Sequence, residues 1–284
     1  MDEVTLNNGV KMPVLGLGTY TLTDPDICEQ VVLEAIRQGY RLIDTAQIYN
    51  NEKYIGKAVN GCGLPREELF LTDKLWPSSY KGERPQKELK HMLKRLGTDY
   101  IDLLLINQQV GDWKNAWKQM EKMLDDGYVR AIGVSNFHTP ESISVFDSFA
   151  NVPPAVDQVE CHPLHVRGDL AHYLDFVGIR LEAWFPLGHG NPILIEKPLL
   201  TELSQKYRKS VQQVILRWHI QSGHIAIPRS SCPRHIKADI NVFNFELSDE
   251  DMKRIDGLDV GDSIRNRKKL IGLLSSSRSG RVNE

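Results

Sequence analysis

The sequence lacks a long apolar run and an excess of one charge. Its apolar stretches, such as residues 103–106, are far shorter than the ~20 residues that span a bilayer. The 35 basic and 37 acidic side chains leave a net charge of −2, and no concentrated basic face is indicated. These absences predict a protein that neither crosses a membrane nor binds nucleic acid.

Cysteine is also scarce, and the cysteines are not clustered. The chain has four, with no Cys-x-x-Cys pair among Cys28, Cys62, Cys161 and Cys232. Such spacing is typical of reduced thiols and predicts neither a disulfide frame nor a zinc site, so we expect no metal. Residues 1–3 are acidic and lack the apolar core of a signal peptide. Together these features predict a cytoplasmic protein.

A unit of helix, glycine and short apolar strand recurs along the chain. In the first unit Asp24 is a candidate helix cap, Pro25 a candidate first helical residue and Gly39 a helix stop. A repeat of this kind predicts a parallel sheet with helical crossovers. The expected strands lie near residues 14–17, 40–43, 69–73, 100–106, 129–132, 155–157, 179–183 and 224–227.

Eight such strands in 284 residues predict the α/β class, as a (β/α)8 barrel in a single domain over residues 1–284. Two short apolar runs flank Asn8-Gly9, which predicts a β-hairpin ahead of the barrel. The segment 261–284 is polar and basic, with a small apolar cluster. We expect it to be either a disordered terminus or a lid over the barrel mouth.

Polar side chains follow most of the expected strands. Because active sites of such barrels lie at the carboxyl ends of the strands, these side chains are expected to converge on one mouth. They are Asp44, Lys74, Asn107, Ser135, Asn136, Gln158, Trp184, Arg229 and Ser230.

Asp44, Tyr49 and Lys74 form a candidate proton-transfer group. A lysine near a tyrosine hydroxyl lowers the pKa of that hydroxyl, and an aspartate can keep the lysine charged. A tyrosine tuned in this way can protonate a developing alkoxide. An Asp–Lys pair at a barrel rim is also typical of a structural salt bridge, so both interpretations stay open.

The remaining rim residues suit a nucleotide cofactor. Trp184 offers a flat face for a ring, although a buried tryptophan is often only part of a core. Ser135, Asn136 and Gln158 carry hydroxyl and amide groups that match a carboxamide, and strand ends facing water would look the same. Arg229-Ser230 lies just ahead of an expected helix, where a phosphate can bind, or where the serine merely caps the helix.

At these residues the chain resembles the aldo-keto reductase family over about residues 1–258. Among its members the chain is most similar to the compact microbial and protozoan type, such as prostaglandin F synthase and 2,5-diketogluconate reductase. The resemblance lies in ordered motifs: LGLGT at 15–19, YRLIDTA at 40–46, IYNNE at 48–52, KLW at 74–76, LGTDYIDL at 96–103, RAIGVSNF at 130–137, QVECHP at 158–163, EAW at 182–184 and IPRS at 227–230.

The resemblance implies a cytoplasmic, monomeric oxidoreductase that reduces an aldehyde or ketone with NADPH, NADH being the alternative cofactor. It implies Tyr49 as proton donor, tuned by Lys74 and Asp44. Cofactor contacts are expected from Thr19, Ser135, Asn136, Gln158, Trp184, Leu187, Arg229, Ser230, His235 and Asp239. The substrate pocket is expected to include Tyr20, Trp76 and Gln108.

The sequence departs from the family pattern at several of these places. Asn107 stands where the family has the histidine of its catalytic tetrad, and an asparagine amide donates over a shorter reach and does not titrate. Phe185 replaces a serine that can bond the pyrophosphate, and His235 replaces a second phosphate-binding arginine. Besides a carbonyl reductase with an atypical carbonyl-orienting residue, two hypotheses stay open: an isomerase, dehydratase or biosynthetic enzyme on the same scaffold, and a nucleotide sensor with vestigial activity.

Overall fold

A computed structural model describes residues 2–261 and 263. The expected lid segment, 261–284, therefore lies almost wholly outside the described residues. Two antiparallel strands come first, β1 (Glu3–Thr5) and β2 (Lys11–Pro13). Eight parallel strands follow: β3 (Gly16–Gly18), β4 (Leu42–Asp44), β5 (Phe70–Leu75), β6 (Ile101–Ile106), β7 (Val129–Ser135), β8 (Val156–Glu160), β9 (Arg180–Trp184) and β10 (Ile225–Ala226).

The eight strands close into a barrel. They pair in chain order from β3 to β10. A parallel bridge between Leu15 and Ala226 then joins the two outer strands, and the Gly18 amide donates to the Pro228 carbonyl at 3.0 Å. The (β/α)8 barrel and its N-terminal hairpin, both predicted from the sequence, are confirmed.

Helices cover the outside of the barrel. They are α1 (Pro25–Arg37), α2 (Glu52–Gly61), α3 (Arg84–Leu96), α4 (Trp113–Asp125), α5 (Pro140–Ser144), α6 (Gly168–Phe176), α7 (Pro192–Ile195), α8 (Pro198–Tyr207), α9 (Val211–Gln221), α10 (Pro233–Asp239) and α11 (Asp249–Asp256). Helix α1 begins as expected, because Asp24 Oδ1 accepts from the Ile27 amide at 2.9 Å and Pro25 occupies the first turn. None of the described helices is long and apolar enough to cross a membrane.

The apolar core has two layers. Strand side chains that point outward pack against the helices, whereas inward ones such as Leu42, Leu103 and Ile225 fill the barrel interior. Leu6 and Met12 from the hairpin segment join the inner layer. The hairpin therefore closes the amino end of the barrel, and the polar strand ends are left at the opposite mouth.

Candidate active site

Asp44 and Lys74 form a buried ion pair at the carboxyl ends of β4 and β5. Lys74 Nζ lies 2.6 Å from Asp44 Oδ1 and 2.7 Å from Oδ2, and it also donates to the Thr45 carbonyl at 2.7 Å. Burial disfavours the charged amine, but Asp44 outweighs this effect and raises the pKa of Lys74. Lys74 is therefore held as an ammonium ion with a fixed direction.

Tyr49 lies in a 3₁₀ turn, Gln47–Tyr49, beside this pair. Lys74 Nζ lies 5.2 Å from the centroid of the Tyr49 ring. Burial raises the pKa of Tyr49, and the nearby Lys74 charge offsets this only in part. The expected effect of Lys74 on the tyrosine is thus present, but the net direction differs from the sequence prediction because the ring is desolvated. At neutral pH the phenol keeps its proton.

Gln158 connects the ion pair to a second buried carboxyl group, which the sequence prediction missed. Its Nε2 donates to Asp44 Oδ2 at 2.7 Å and to Glu182 Oε2 at 2.8 Å. Glu182 is fully buried in β9, and burial together with the Asp44 charge raises its pKa to about 8. The available signal was an acidic residue inside an otherwise apolar strand, two positions before Trp184.

Four of the predicted rim residues form one hydrogen-bonded group. Trp184 Nε1 donates to Asn136 Oδ1 at 3.2 Å, and Asn136 Nδ2 donates to the Asn107 carbonyl at 2.8 Å and to Ser135 Oγ at 3.1 Å. Asn136 adopts a left-handed backbone conformation with φ of 65°. That conformation lets its short side chain donate to the residue after β6 and accept from Trp184 at the end of β9.

Asn107 follows β6 directly and is buried. Its Oδ1 accepts from Gln108 Nε2 at 3.3 Å, so the amide nitrogen is the donor end of the side chain. The backbone amide of Gln108 in turn donates to the Tyr80 hydroxyl at 2.9 Å. The two residues predicted to meet a substrate are therefore in contact with each other.

The other expected pocket residues lie on the loops after β3, β4 and β5. Tyr20 packs against Tyr49 with ring centroids 5.2 Å apart and remains 44% exposed. The Trp76 amide donates to Gln47 Oε1 at 2.8 Å, and Gln47 Nε2 donates to Ser79 Oγ at 2.9 Å. Gln47, which the sequence prediction missed, thus fixes the loop carrying Tyr49 to the loop carrying Trp76.

The expected phosphate-binding residues lie around the start of α10. Arg229 and His235 are exposed, and among the described residues Arg229 makes no ion pair. Ser230 Oγ accepts at 3.1 Å from the backbone amide of Cys232, the residue just before α10, and it does not cap the helix itself. Asp239 differs from the others because it is buried, and burial raises its pKa to about 7. It does not share the exposed surface of Arg229.

Thr19 and Leu187 complete the predicted cofactor set. Thr19 is buried at the end of β3, and its hydroxyl donates to the Asp44 carbonyl at 2.8 Å. Leu187 is half-buried after β9. Phe185, next to Trp184, has φ of 62° and packs on His189 with ring centroids 4.3 Å apart. An aromatic contact is thus made at the position where the family resemblance implies a serine.

Comparisons with known proteins agree with this architecture. The model of the Aldo/keto reductase family matches residues 14–191 and 196–260, and the chain belongs to that family. It is therefore an oxidoreductase of the aldo-keto type. The chain is 41% identical over 264 residues to a glyoxal reductase from Bacillus subtilis (strain 168), with 93% of this chain and 95% of the relative covered. It is 40% identical over 272 residues to a morphine 6-dehydrogenase from Pseudomonas putida, with 91% of each chain covered.

Solved structures show the same fold. An aldo/keto reductase from Brucella melitensis superposes with a TM-score of 0.87 at 40% identity, covering 91% of this chain and 99% of the other. An aldo-keto reductase from Bombyx mori, solved in complex with NADP, superposes with a TM-score of 0.87 at 32% identity. That comparison covers 95% of this chain and 96% of the other.

Proposed function

We propose that this protein reduces an aldehyde or ketone to an alcohol with NADPH, and that Tyr49 donates the proton. The observation that carries the proposal is the set of contacts among three side chains. Tyr49 keeps its proton at neutral pH, and Lys74 lies beside it as an ammonium ion. Both carboxylate oxygens of Asp44 accept hydrogen bonds from Lys74. This is the arrangement that a general acid for a developing alkoxide requires.

The residues around Trp184 fit a nicotinamide cofactor. The Trp184 ring is half-buried and held by Asn136, which keeps its face in one orientation. The side-chain nitrogen of Gln158 already donates to Asp44 and Glu182. The side-chain oxygen of Gln158 is therefore the atom left to accept from a carboxamide. Ser135 and Asn136 supply the hydroxyl and amide groups for the other side of that carboxamide.

The phosphate end of the cofactor would meet Arg229 and Ser230. Arg229 is an exposed cation, and a 2′-phosphate would supply its counterion. The Phe185 side chain cannot bond a phosphate, and His235 stands where the family resemblance implies a second phosphate-binding arginine. The affinity for NADPH therefore rests on Arg229, and NADH is the alternative cofactor that this surface would admit.

When bound, NADPH supplies a hydride and its electron pair to the carbonyl carbon. Tyr49 gives its phenolic proton to the carbonyl oxygen, so that C=O becomes HC–OH. The phenolate left behind is stabilised by the Lys74 ammonium, and Asp44 keeps that ammonium in place. The phenol then regains its proton from solvent.

Asn107 orients the substrate carbonyl in this proposal. Its oxygen is engaged by Gln108, so its amide nitrogen is the group that donates to the carbonyl oxygen. An asparagine is shorter than a histidine, and the hydrogen bond it makes is weaker for a substrate seated at the same depth. Loss of one well-placed donor costs ~2.7–4 kcal/mol of transition-state stabilisation.

The substrate class we propose is a small carbonyl compound bound between Tyr20, Trp76 and Gln108. The similarity to a glyoxal reductase makes glyoxal the first substrate to test, and the similarity to a morphine 6-dehydrogenase extends the test to a bulky ketone. We propose a single-domain monomer, since every residue of this site comes from one barrel.

The test is a titration of the protein with NADPH and NADH, followed through tryptophan emission, and then turnover of glyoxal. We expect micromolar NADPH to quench the emission, and we expect Trp184→Phe to remove most of that quenching. Oxidation of NADPH should then depend on the carbonyl compound. Failure of both cofactors to bind would overturn the proposal.

The replacement at Asn107 favours a second candidate, a cofactor-binding protein that does not reduce carbonyls. It would be either an isomerase, dehydratase or other biosynthetic enzyme, or a nucleotide sensor. Conversion of a substrate with no net loss of NADPH would identify the first. Tight NADPH binding with no turnover of any carbonyl would identify the second.

A further inference from the structure

A buried group of one cysteine and two histidines lies outside the candidate active site. Cys161 follows β8, His219 lies in α9, and His224 immediately precedes β10. One ligand atom from each of the three lies within 4.8 Å of the other two. All three side chains are buried, His219 and Cys161 completely. The tertiary structure thus brings together residues whose spacing in the sequence gave no such indication.

The imidazole groups in this cluster lack the hydrogen bonds that buried polar atoms normally make. Nδ1 of His224 has no hydrogen-bond partner, and at most one ring nitrogen of His219 is engaged, by the Pro186 carbonyl. Buried polar atoms left unpaired destabilise a fold and call for an explanation such as a missing ligand. The Cys161 thiol makes only a 3.5 Å contact with the Val166 carbonyl.

We propose that Cys161, His219 and His224 bind a transition-metal ion of the d¹⁰ class, Zn²⁺ or Cu⁺. Thiolate and imidazole are the ligands that such ions prefer. On binding, the Cys161 S–H bond breaks, the sulfur bonds the metal, and the proton leaves to solvent, with no change in oxidation state. Hard ions such as Mg²⁺ and Ca²⁺ are disfavoured because the group offers no oxygen ligand.

To bind one ion, the three ligand atoms must move closer to one another. Bond lengths of about 2.0–2.1 Å to nitrogen and about 2.3 Å to sulfur place the ligand atoms about 3.3–3.6 Å apart around a tetrahedral ion. Small rotations of the three side chains would bring the ligand atoms together from the present limit of 4.8 Å. The Pro186 carbonyl acts on the His219 ring as a hydrogen-bond acceptor, and it would hold one ring N–H while the other nitrogen binds metal.

The surroundings suit a neutral or weakly charged complex. His224 is buried, which favours the neutral imidazole, and the neutral ring is the metal-binding form. A thiolate with Cu⁺ has no net charge, and a thiolate with Zn²⁺ has a charge of +1. Asp256, Asp259 and Glu160 act on Cys161 as negative charges and would offset that excess, while Arg167 opposes them.

The site would tie β8 to α9 and to the segment before β10. The Cys161 amide donates to the Trp184 carbonyl at 3.3 Å, so the metal would also stiffen the strand end that carries Trp184. A site of this kind contributes to folding stability, since an ion that binds the native state alone stabilises it by mass action.

The experiment uses the full chain, stripped of metal by a chelator and then titrated with Zn²⁺ and, separately, with Cu⁺ under anaerobic conditions. We expect one ion per chain and a melting temperature that rises with its concentration. Titration with Co²⁺ should add a thiolate-to-metal charge-transfer absorption. Binding of Cu⁺ but not Zn²⁺ supports the same site with a monovalent ion.

Matched variants identify the ligands. Cys161→Ala and His219→Gln should each weaken the affinity by about 10³-fold or more, beyond the roughly 10–100-fold effect of a residue that only supports a ligand. Cys62→Ala and His172→Gln, whose side chains lie elsewhere and are partly or fully exposed, should leave it unchanged. The proposal is overturned by the absence of stoichiometric binding to the unaltered protein. It is equally overturned by binding that survives both ligand substitutions. The Co²⁺ spectrum of the unaltered protein decides the question even where a variant fails to fold.

Discussion

Gln158 and Glu182 are partners across neighbouring strands β8 and β9, and Gln158 Nε2 donates to Glu182 Oε2 at 2.8 Å. The same nitrogen donates to Asp44 at 2.7 Å. One amide therefore separates two buried carboxyl groups. Two ionised carboxylates so close in a buried site repel each other, and Glu182 relieves the repulsion by keeping its proton.

This relationship predicts a pH-dependent stability. Between the ordinary glutamate pKa of about 4.3 and the native value of about 8, the folded chain binds one proton that the unfolded chain has lost. The free energy of unfolding contributed by Glu182 therefore falls as pH rises through that range, by at most ~1.4 kcal/mol per pH unit. Glu182→Gln should remove this slope and make the variant more stable than the unaltered protein at pH 8.

Urea denaturation of both proteins from pH 5 to pH 9 measures this effect. The stability advantage of Glu182→Gln should shrink as the pH approaches 5, because the folded and unfolded forms of the unaltered protein then differ less in the protonation of Glu182. Equal pH slopes in the two proteins would show that Glu182 is ionised in the native state.

Tyr49→Phe tests the proton donor. The substitution removes the phenolic proton and keeps the ring, so we expect kcat for carbonyl reduction to fall about 10²–10⁴-fold with little change in NADPH affinity. Because burial raises the pKa of Tyr49, kcat of the unaltered protein should stay constant through neutral pH. Tyr128→Phe is the matched control, since Tyr128 is exposed and precedes β7 at the amino end of the barrel, away from this site. If Tyr49→Phe retains turnover, Tyr49 is not the proton donor.

Asn107→His tests the carbonyl-orienting residue. An imidazole reaches farther than the asparagine amide, and a restored donor should raise kcat/KM by about 10²-fold. Asn107→Gln is the control for length, because it extends the amide by one methylene group without adding a ring. An unchanged rate in the histidine variant would indicate that the limitation lies elsewhere, in favour of the non-reductive hypotheses.

Two glycines in α2 test the packing of that helix against α3. A Cβ on Gly56 would lie 2.5 Å from the Leu96 carbonyl oxygen, whereas a Cβ on Gly61 would meet nothing within 4 Å. We expect Gly56→Ala to lower the free energy of unfolding by about 1–3 kcal/mol through overpacking. Gly61→Ala should instead raise it by about 0.4–1 kcal/mol, because the unfolded chain loses entropy. Urea denaturation distinguishes the two, and similar effects of both would contradict the packing argument.

Much of the barrel was predictable because its signals are local. The Asp24 cap, Pro25 in the first turn and Gly39 after the helix lie within one stretch of chain, and each acts on its own neighbours. The polar residues after the strands followed from the same repeat, since strand ends in a parallel barrel share one mouth. Tyr49 and Lys74 could therefore be assigned to one site before any distance was known.

The hydrogen-bond partners inside that site could not be predicted. Whether Gln158 serves a carboxamide or the carboxyl groups of Asp44 and Glu182 depends on which side chains point into the barrel at the same level. The pKa of Tyr49 likewise depends on how far burial exceeds the effect of Lys74. Both quantities are set by distances of a few ångströms between residues far apart in the chain.

The sequence by itself determined the order of strands and helices, the mouth where the polar side chains gather, and the family to which the chain belongs. The order and the mouth follow from periodicity, caps and turns, which act between near neighbours along the chain, whereas the family follows from the resemblance of ordered motifs such as LGLGT at 15–19. Only the tertiary structure decided that Glu182 holds a proton, that Tyr49 is desolvated, and that Cys161 meets His219 and His224. Charge, solvation and ligand geometry depend on distances in space, which the spacing of residues along the chain does not specify.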